Sequence, residues 1–253
     1  MKEQIEKDKI YNCDCLEGMK HIPNASIDLV VTSPPYNYNL RIHYGEYGGR
    51  SVNDHNKYGK MFSDDLPMEE YFKWQCQCID EMLRVSKGLV FYNIQMITGN
   101  KVALCKILGH YATKVKEVII WDKKNAEPAI HEGVLNSQYE YIIVFDKADA
   151  IARQFKTFNA EKGTVTNIWQ IGKNTERNIE NHGAMFPLTL PRKIIHLFTN
   201  EGDTVLDPFM GSGTTAVACI KEKRHFIGFE LNKDYYDKAC RRIDAERRQL
   251  SLF

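Results

Sequence analysis

Residues Thr204–Thr215 read TVLDPFMGSGTT. An apolar run meets an acidic residue, a proline, a Gly-x-Gly and a threonine pair. The pattern predicts a strand over TVLDPF, a tight turn, and a helix over GSGTTAVACIKEK. Gly211 and Gly213 let the backbone turn sharply and let a ligand approach it closely. Asp207 falls at the strand's carboxyl end, where open α/β sheets bind ligands. This is not a phosphate loop, because Thr214 and Thr215, and no Gly-Lys-Ser/Thr, follow Gly213. An acidic group beside the turn disfavours phosphate and favours a cationic or hydroxyl-bearing ligand. The next strand, HFIGFEL, ends at Glu230, 23 residues beyond Asp207. A carboxylate there is placed to bond ribose hydroxyls.

Working outward, residues 28–40 read DLVVTSPPYNYNL. The apolar run is of the kind found inside parallel sheets, and it stops in a Pro-Pro-Tyr turn. Elsewhere strands alternate with helices. DKIYNCD, GLVFYNI, KVKEVIIWDK and SQYEYIIVFDK read as strands. PMEEYFKWQCQCIDEMLRVS, TGNKVALCKILGH, FPLTLPRKIIHLFT and KDYYDKACRRIDAERRQL read as helices. The alternation predicts an open, mostly parallel twisted α/β sheet of about seven strands with helices on both faces. Residues 38–64 form a long loop without apolar period, and residues 148–181 are polar and mixed.

The 253 residues suit one α/β domain, or one with a small insertion. A 43% hydrophobic content is ordinary for a globular protein. No apolar run approaches the ~20 residues of a membrane span, and MKEQIEKDKI lacks the apolar core of a signal peptide. The chain reads as cytoplasmic, with no membrane partner. The net charge of +1 requires any nucleic acid to meet a local basic face. Asp122–Ala126, Lys147–Arg153 and Lys173 with Arg177 are candidates; the basic end RRIDAERRQL reads as a solvated helix face. The seven cysteines include two C-x-C pairs, Cys13/Cys15 and Cys76/Cys78. That spacing is tighter than zinc sites use, so they read as reduced thiols and no metal is expected.

TSPPY (Thr32–Tyr36) followed by DPFMGSGTT (Asp207–Thr215) resembles the DNA amino-methyltransferases, in the motif order of their beta group. The resemblance spans about Lys9 to Ile243. It implies a class I methyltransferase fold with circularly permuted motifs and S-adenosylmethionine (AdoMet) as cofactor. The substrate implied is an exocyclic amine of a base flipped from double-stranded DNA. Such an amine is a poor nucleophile, its lone pair being delocalised into the ring. Ser33 Oγ and the Pro34 carbonyl would accept its two N–H groups. Pro34 and Pro35 would stiffen the turn, and Tyr36 would offer a stacking face worth ~1–3 kcal/mol.

Carried over residue by residue, Asp207, Phe209, Gly211 and Gly213 match the cofactor turn, and Glu230 matches the ribose ligand. Thr214 and Thr215 open a helix whose N–H groups could take the methionine carboxylate. Asp14 resembles the acceptor of the cofactor's adenine amine, with a helix N-cap as the plain alternative. In HGAMFP, His182, Ala184, Phe186 and Pro187 match a segment that closes the pocket; Gly183 stands where the family often has proline. Serine before Pro-Pro resembles N4-cytosine members more than N6-adenine members. The resemblance divides the chain into a catalytic half (1–147), a small target-recognition insertion (148–181) and an AdoMet-binding half (182–253). Lys156, Lys173, Asn174 and Arg177 would meet phosphates or bases, and Arg41, His43 and Arg50 the backbone. A cognate restriction endonuclease and a homodimer are compatible with this reading. RNA or protein acceptors, a non-enzymatic nucleotide binder and an ATP-using enzyme remain as alternatives.

Overall fold

The computed structural model describes residues 5–37, 64–127, 132–149, 152–172 and 186–250. The chain runs β1 (Lys9–Tyr11), α1 (Cys15–Met19), β2 (Ile27–Thr32), α2 (Met68–Val85), β3 (Ser86–Ile94) and α3 (Lys101–His110). It continues through β4 (Val115–Glu127), β5 (Ser137–Asp146), β6 (Ile168–Gln170), α4 (Thr189–Phe198), β7 (Thr204–Asp207), α5 (Thr214–Lys221), β8 (His225–Phe229) and α6 (Lys233–Leu250).

One eight-stranded sheet has the order β1-β8-β7-β2-β3-β5-β4-β6. Pairing is parallel from β1 through β3 and between β4 and β6; β5 runs antiparallel to both β3 and β4. The expected open, mostly parallel sheet is present, with one strand more than anticipated. Side chains alternate along each strand between two cores. Leu29, Val31, Phe91 and Val205 join α4, α5 and α6 in one cluster. Val30, Val90, Tyr92 and Leu206 join α1, α2 and α3 in the other. β2 is central, so both its faces are covered; this is why IDLVVT is a nearly unbroken apolar run.

Two elements differ from the sequence reading. Ile168–Gln170 adds β6 to the edge of β4, setting Trp169 beside Trp121. Three residues are too few to display a period. Around it, the described part of 148–181 is docked on α4. Phe155 meets Phe198 with ring centroids 4.8 Å apart. Asn159 donates to the His196 and Thr199 carbonyls at the helix end, at 3.0 and 2.7 Å. The helix expected from Phe186 begins instead at Thr189. Pro187 disfavours helix in the residue before it, while Pro191 is tolerated in the first turn, where N–H groups lack partners anyway.

Candidate active site

Both motifs lie at carboxyl ends of neighbouring parallel strands. Leu29 and Val30 of β2 stand opposite Val205 and Leu206 of β7. One step on, Thr32 Oγ1 donates to Asp207 Oδ1 at 2.7 Å. The two distant stretches therefore form one site edge, at the place where open α/β sheets take ligands.

Asp207 is 1% exposed. Its Oδ1 also accepts from Phe209 N–H at 3.0 Å, and its Oδ2 from Thr215 Oγ1 at 2.6 Å. Burial pushes its carboxyl up to about 6, against the pull of these three bonds. Asp207 thus ties β2, β7 and the start of α5 together. The turn beyond it needs left-handed backbone: Gly211 has φ 54° and Gly213 φ 84°. A Cβ on Gly213 would come within 3.2 Å of Ala239 Cβ on α6; one on Gly211 would meet nothing nearer than the Phe209 carbonyl at 4.0 Å. Gly213 is needed for packing, then, while Gly211 leaves an open face.

Glu230 closes the same turn. Its Oε2 accepts from Gly211 N–H at 2.8 Å and its Oε1 from Asn232 N–H at 2.7 Å. Burial outweighs those bonds and pushes its carboxyl up to about 7, with the Asp207 charge adding to the rise. Thr214 Oγ1 accepts from the Arg242 guanidinium at 2.9 Å. Asn12 donates to the Glu230 and Leu231 carbonyls at 2.8 and 3.1 Å, which sets the stretch after β1 against the stretch after β8. Asp14, in that stretch, caps α1: its Oδ1 accepts from Leu16 and Glu17 N–H at 2.9 and 3.2 Å. Phe209 meets Trp74 of α2 edge-on, centroids 5.7 Å apart. Phe186 lines a small apolar pocket with Thr32, Asn93 and Leu190. Pro187 is buried beside it. His182 and Ala184 lie outside the described residues, as do Lys173, Asn174, Arg177, Arg41, His43 and Arg50.

The Ser33–Tyr36 turn is gripped from α2 and from the stretch before α3. Tyr71 Oη and Gln75 Nε2 donate to the Pro35 carbonyl at 2.8 and 3.3 Å. Asn100 Nδ2 donates to the Tyr36 carbonyl at 2.9 Å. Among the described residues nothing donates to the Pro34 carbonyl. Tyr36 itself is 7% exposed, so its ring offers no open face. That hydroxyl lies 2.9 Å from Ser33 Oγ and donates to Glu140 Oε2 at 2.9 Å. Asn93 Nδ2 donates to the Tyr36 oxygen at 2.7 Å and to Glu140 Oε2 at 2.8 Å. Lys123 Nζ sits 3.4 Å from Glu140 Oε1.

Asn93, Glu140, Lys123 and Trp74 were not singled out from sequence. The readable signal was polarity inside an apolar strand, as with Asn93 in GLVFYNI. Lys123, in a stretch weighed as a basic face, is 1% exposed and turned inward. Lys147 donates to the Arg84 and Ser86 carbonyls, so it too is committed internally. Lys156 is exposed. Among the described residues no group of three or more His, Cys, Asp or Glu could hold a metal. Cys15 and Cys78 are buried with their sulfurs 4.0 Å apart. No helix among the described residues is long and apolar enough to cross a membrane.

A family model described as DNA methylase, for N6 and N4 methyltransferases, matches residues 27–241. The type II methyltransferase M.BglII of Bacillus subtilis is 28% identical over 94% of this chain and 69% of its own length. The DNA adenine methyltransferase YhdJ of Escherichia coli K12 is 28% identical over 95% of this chain and 84% of its own. Among solved structures, the cytosine-N4-specific PvuII DNA methyltransferase has a TM-score of 0.71 at 21% identity, covering 94% of this chain and 86% of that one. The M1.HpyAVI–SAM complex has a TM-score of 0.60 at 26% identity, covering 92% and 98%.

Proposed function

Because this chain belongs to the DNA methylase family of N6 and N4 amino-methyltransferases, we propose that it methylates N4 of cytosine within a short double-stranded site. The wider activity is that of the family: a DNA methyltransferase using AdoMet, on a class I methyltransferase fold. The residues present fit that cofactor. Gly211 offers an open backbone face and Glu230 a carboxylate beside it. Phe186 lines a pocket that Thr32 and Asn93 share. Asp207 holds the turn, Phe209 flanks it, and Thr214 and Thr215 present the first N–H groups of α5. Pro187, buried next to Phe186, and His182, outside the described residues, would join them as the sequence match implies. Asp14 stands on the Glu230 side, where its remaining oxygen would take the adenine amine. AdoMet supplies an electrophilic methyl group on a sulfonium.

The observation that carries the assignment is the pair of acceptors at Ser33 and Pro34. The Pro34 carbonyl is unclaimed among the described residues, while the next two carbonyls along the turn, of Pro35 and Tyr36, are pinned. Ser33 Oγ and the Pro34 carbonyl would each accept one N–H of the amine. Holding both bonds favours a pyramidal nitrogen whose lone pair faces the methyl donor. Serine in the acceptor place, with Phe186-Pro187 in the closing segment, favours cytosine. The stacking role of Tyr36 requires the ring to become accessible as the base enters. Lys156 and the remainder of 148–181, with the loop 37–64, would read the target. We place the enzyme in the cytoplasm; a restriction endonuclease of the same site and a homodimer are compatible with this reading. Digesting methylated DNA to nucleosides for mass analysis should yield N4-methylcytosine. N6-methyladenine would transfer the assignment to the other base.

Glu230 gives a pH prediction. Its ionised form is the better acceptor for ribose hydroxyls, and its carboxyl is pushed up to about 7. AdoMet affinity should therefore fall by up to about tenfold from pH 8 to pH 6. Calorimetric titration across that range checks it, and Glu230→Gln should flatten the curve. A wild-type affinity that ignores pH would remove Glu230 from the ribose.

A further inference from the structure

We propose that Glu140 is the final acceptor of the proton released on methyl transfer, reached from the target amine through Ser33 and Tyr36. The proposal rests on the reading that Ser33 faces the amine. Transfer forms an N–C bond from the amine's lone pair and breaks the C–S bond, whose electron pair stays on sulfur. The nitrogen is left with a positive charge and one proton to lose. That proton passes to Ser33 Oγ as the serine's own proton moves to the Tyr36 oxygen. Tyr36's proton moves in turn to the Glu140 carboxylate. Each hydroxyl ends as it began, and Glu140 ends neutral.

The bonds all point one way. Ser33 Oγ is 2.9 Å from the Tyr36 oxygen, and Tyr36 donates to Glu140 Oε2 at 2.9 Å. Asn93 Nδ2 can only donate. It faces the Tyr36 oxygen at 2.7 Å, Glu140 Oε2 at 2.8 Å and Ser33 Oγ at 3.5 Å; the carboxylate oxygen, which can only accept, assigns nitrogen to that end of the amide. With Asn93 occupying one lone pair of the Tyr36 oxygen, Tyr36's proton is left to Glu140 and its other lone pair to Ser33. Ser33 then has a lone pair free for the amine. Among the described residues, the charged or titratable groups in contact with Glu140 are Lys123 from β4 and Tyr36.

Burial argues for a role beyond stability. The Lys123 and Glu140 side chains are 1% and 11% exposed. A buried ion pair is a weak source of stability compared with apolar residues of the same volume. This one stands a single hydroxyl behind the turn that holds the amine. The residual exposure of Glu140 gives its proton a route back to water between turnovers.

The test is single-turnover methylation of duplex DNA by full-length Glu140→Gln and Tyr36→Phe across pH. Glutamine keeps the volume but accepts no proton; phenylalanine cuts the chain in the middle. At saturating AdoMet, both variants should be slowed about 100-fold and should lack the acid-side fall in rate expected of the wild type. AdoMet affinity by calorimetry and base extrusion, followed by 2-aminopurine fluorescence, should stay within about twofold. A wild-type pH profile in either variant overturns the relay. So does a rate loss matched by loss of AdoMet binding or base extrusion, since the network would then be a brace. If Glu140→Gln does not fold, Tyr36→Phe decides alone. Ser33→Ala separates the two readings: full activity there defeats the site assignment itself, whereas an inactive Ser33→Ala beside a normal Glu140→Gln defeats only the relay.

Discussion

Asp207→Ala is expected to weaken AdoMet binding by about 100-fold or more, roughly 2.7 kcal/mol. Asp207 is almost wholly enclosed, and Thr32, Thr215 and the Phe209 N–H occupy its two oxygens. The effect therefore travels through the shape of the turn. Without the carboxylate, β2 and β7 lose the Thr32 side-chain bond at their carboxyl ends while their ladder remains, and α5 loses the Thr215 anchor that sets where Gly211 and Gly213 stand. Each donor left unpaired in the interior costs about 1–3 kcal/mol. Opposing this is the cost of keeping the carboxylate ionised. Its carboxyl is pushed from 3.8 up to about 6, a difference of about 3 kcal/mol near neutral pH. Relief of that cost offsets part of the loss, so global stability should fall by only a few kcal/mol while cofactor binding collapses.

The isosteric Asp207→Asn separates the two contributions. A carboxyl raised by folding contributes stability that is complete below its unfolded value, near 3.8, and is lost as pH rises through about 6. Asparagine removes that titration. It should gain on the wild type as pH rises from 4 to 7, while keeping acceptors for Thr32 and Phe209. Urea unfolding at several pH values, beside calorimetric titration with AdoMet, reads both quantities. Normal AdoMet affinity in Asp207→Ala would refute the account of the turn.

Ser33→Ala should lower the single-turnover rate by about 100- to 1,000-fold, the usual effect of deleting one preorganised polar contact to the reacting group. AdoMet affinity should stay within about twofold. The split follows from connectivity. Ser33 Oγ bonds to Tyr36 and Asn93, on the β3 and β5 side of the cleft. The glycine turn is held by Asp207 and Glu230 on the β7 and β8 side. Alanine leaves the Pro34 carbonyl as the lone acceptor, and one N–H bond no longer biases the nitrogen toward pyramidal geometry. Equal losses of rate and cofactor affinity would mean that Ser33 faces the cofactor instead.

Much of this was legible in the chain. TVLDPFMGSGTT declares its strand, turn and helix because glycine, aspartate and proline act locally, on φ and on nearby N–H groups. IDLVVT declares a central strand because an element covered on both faces has no polar face to show. What stayed hidden involves partners far apart in sequence. β6 consists of three residues whose reason is Trp121, more than forty positions earlier. Lys123 looks like a solvent lysine until Glu140, on the adjacent strand, is seen beside it. Tyr36 suggested an open stacking face; the fold buries the ring and commits its hydroxyl to Glu140 and Asn93.

By itself, then, the sequence determined the class of sheet, the cofactor turn, the rigid Ser-Pro-Pro-Tyr turn and the family to which they belong. Those depend on short-range constraints that a few adjacent residues satisfy alone. Only the tertiary structure decided that Thr32 would bond Asp207, that Glu230 would close over Gly211, and that Asn93, Glu140 and Lys123 would line up behind Ser33. A buried polar group must find its partner inside the protein, and which partner it meets depends on strand order and register, which no local stretch contains.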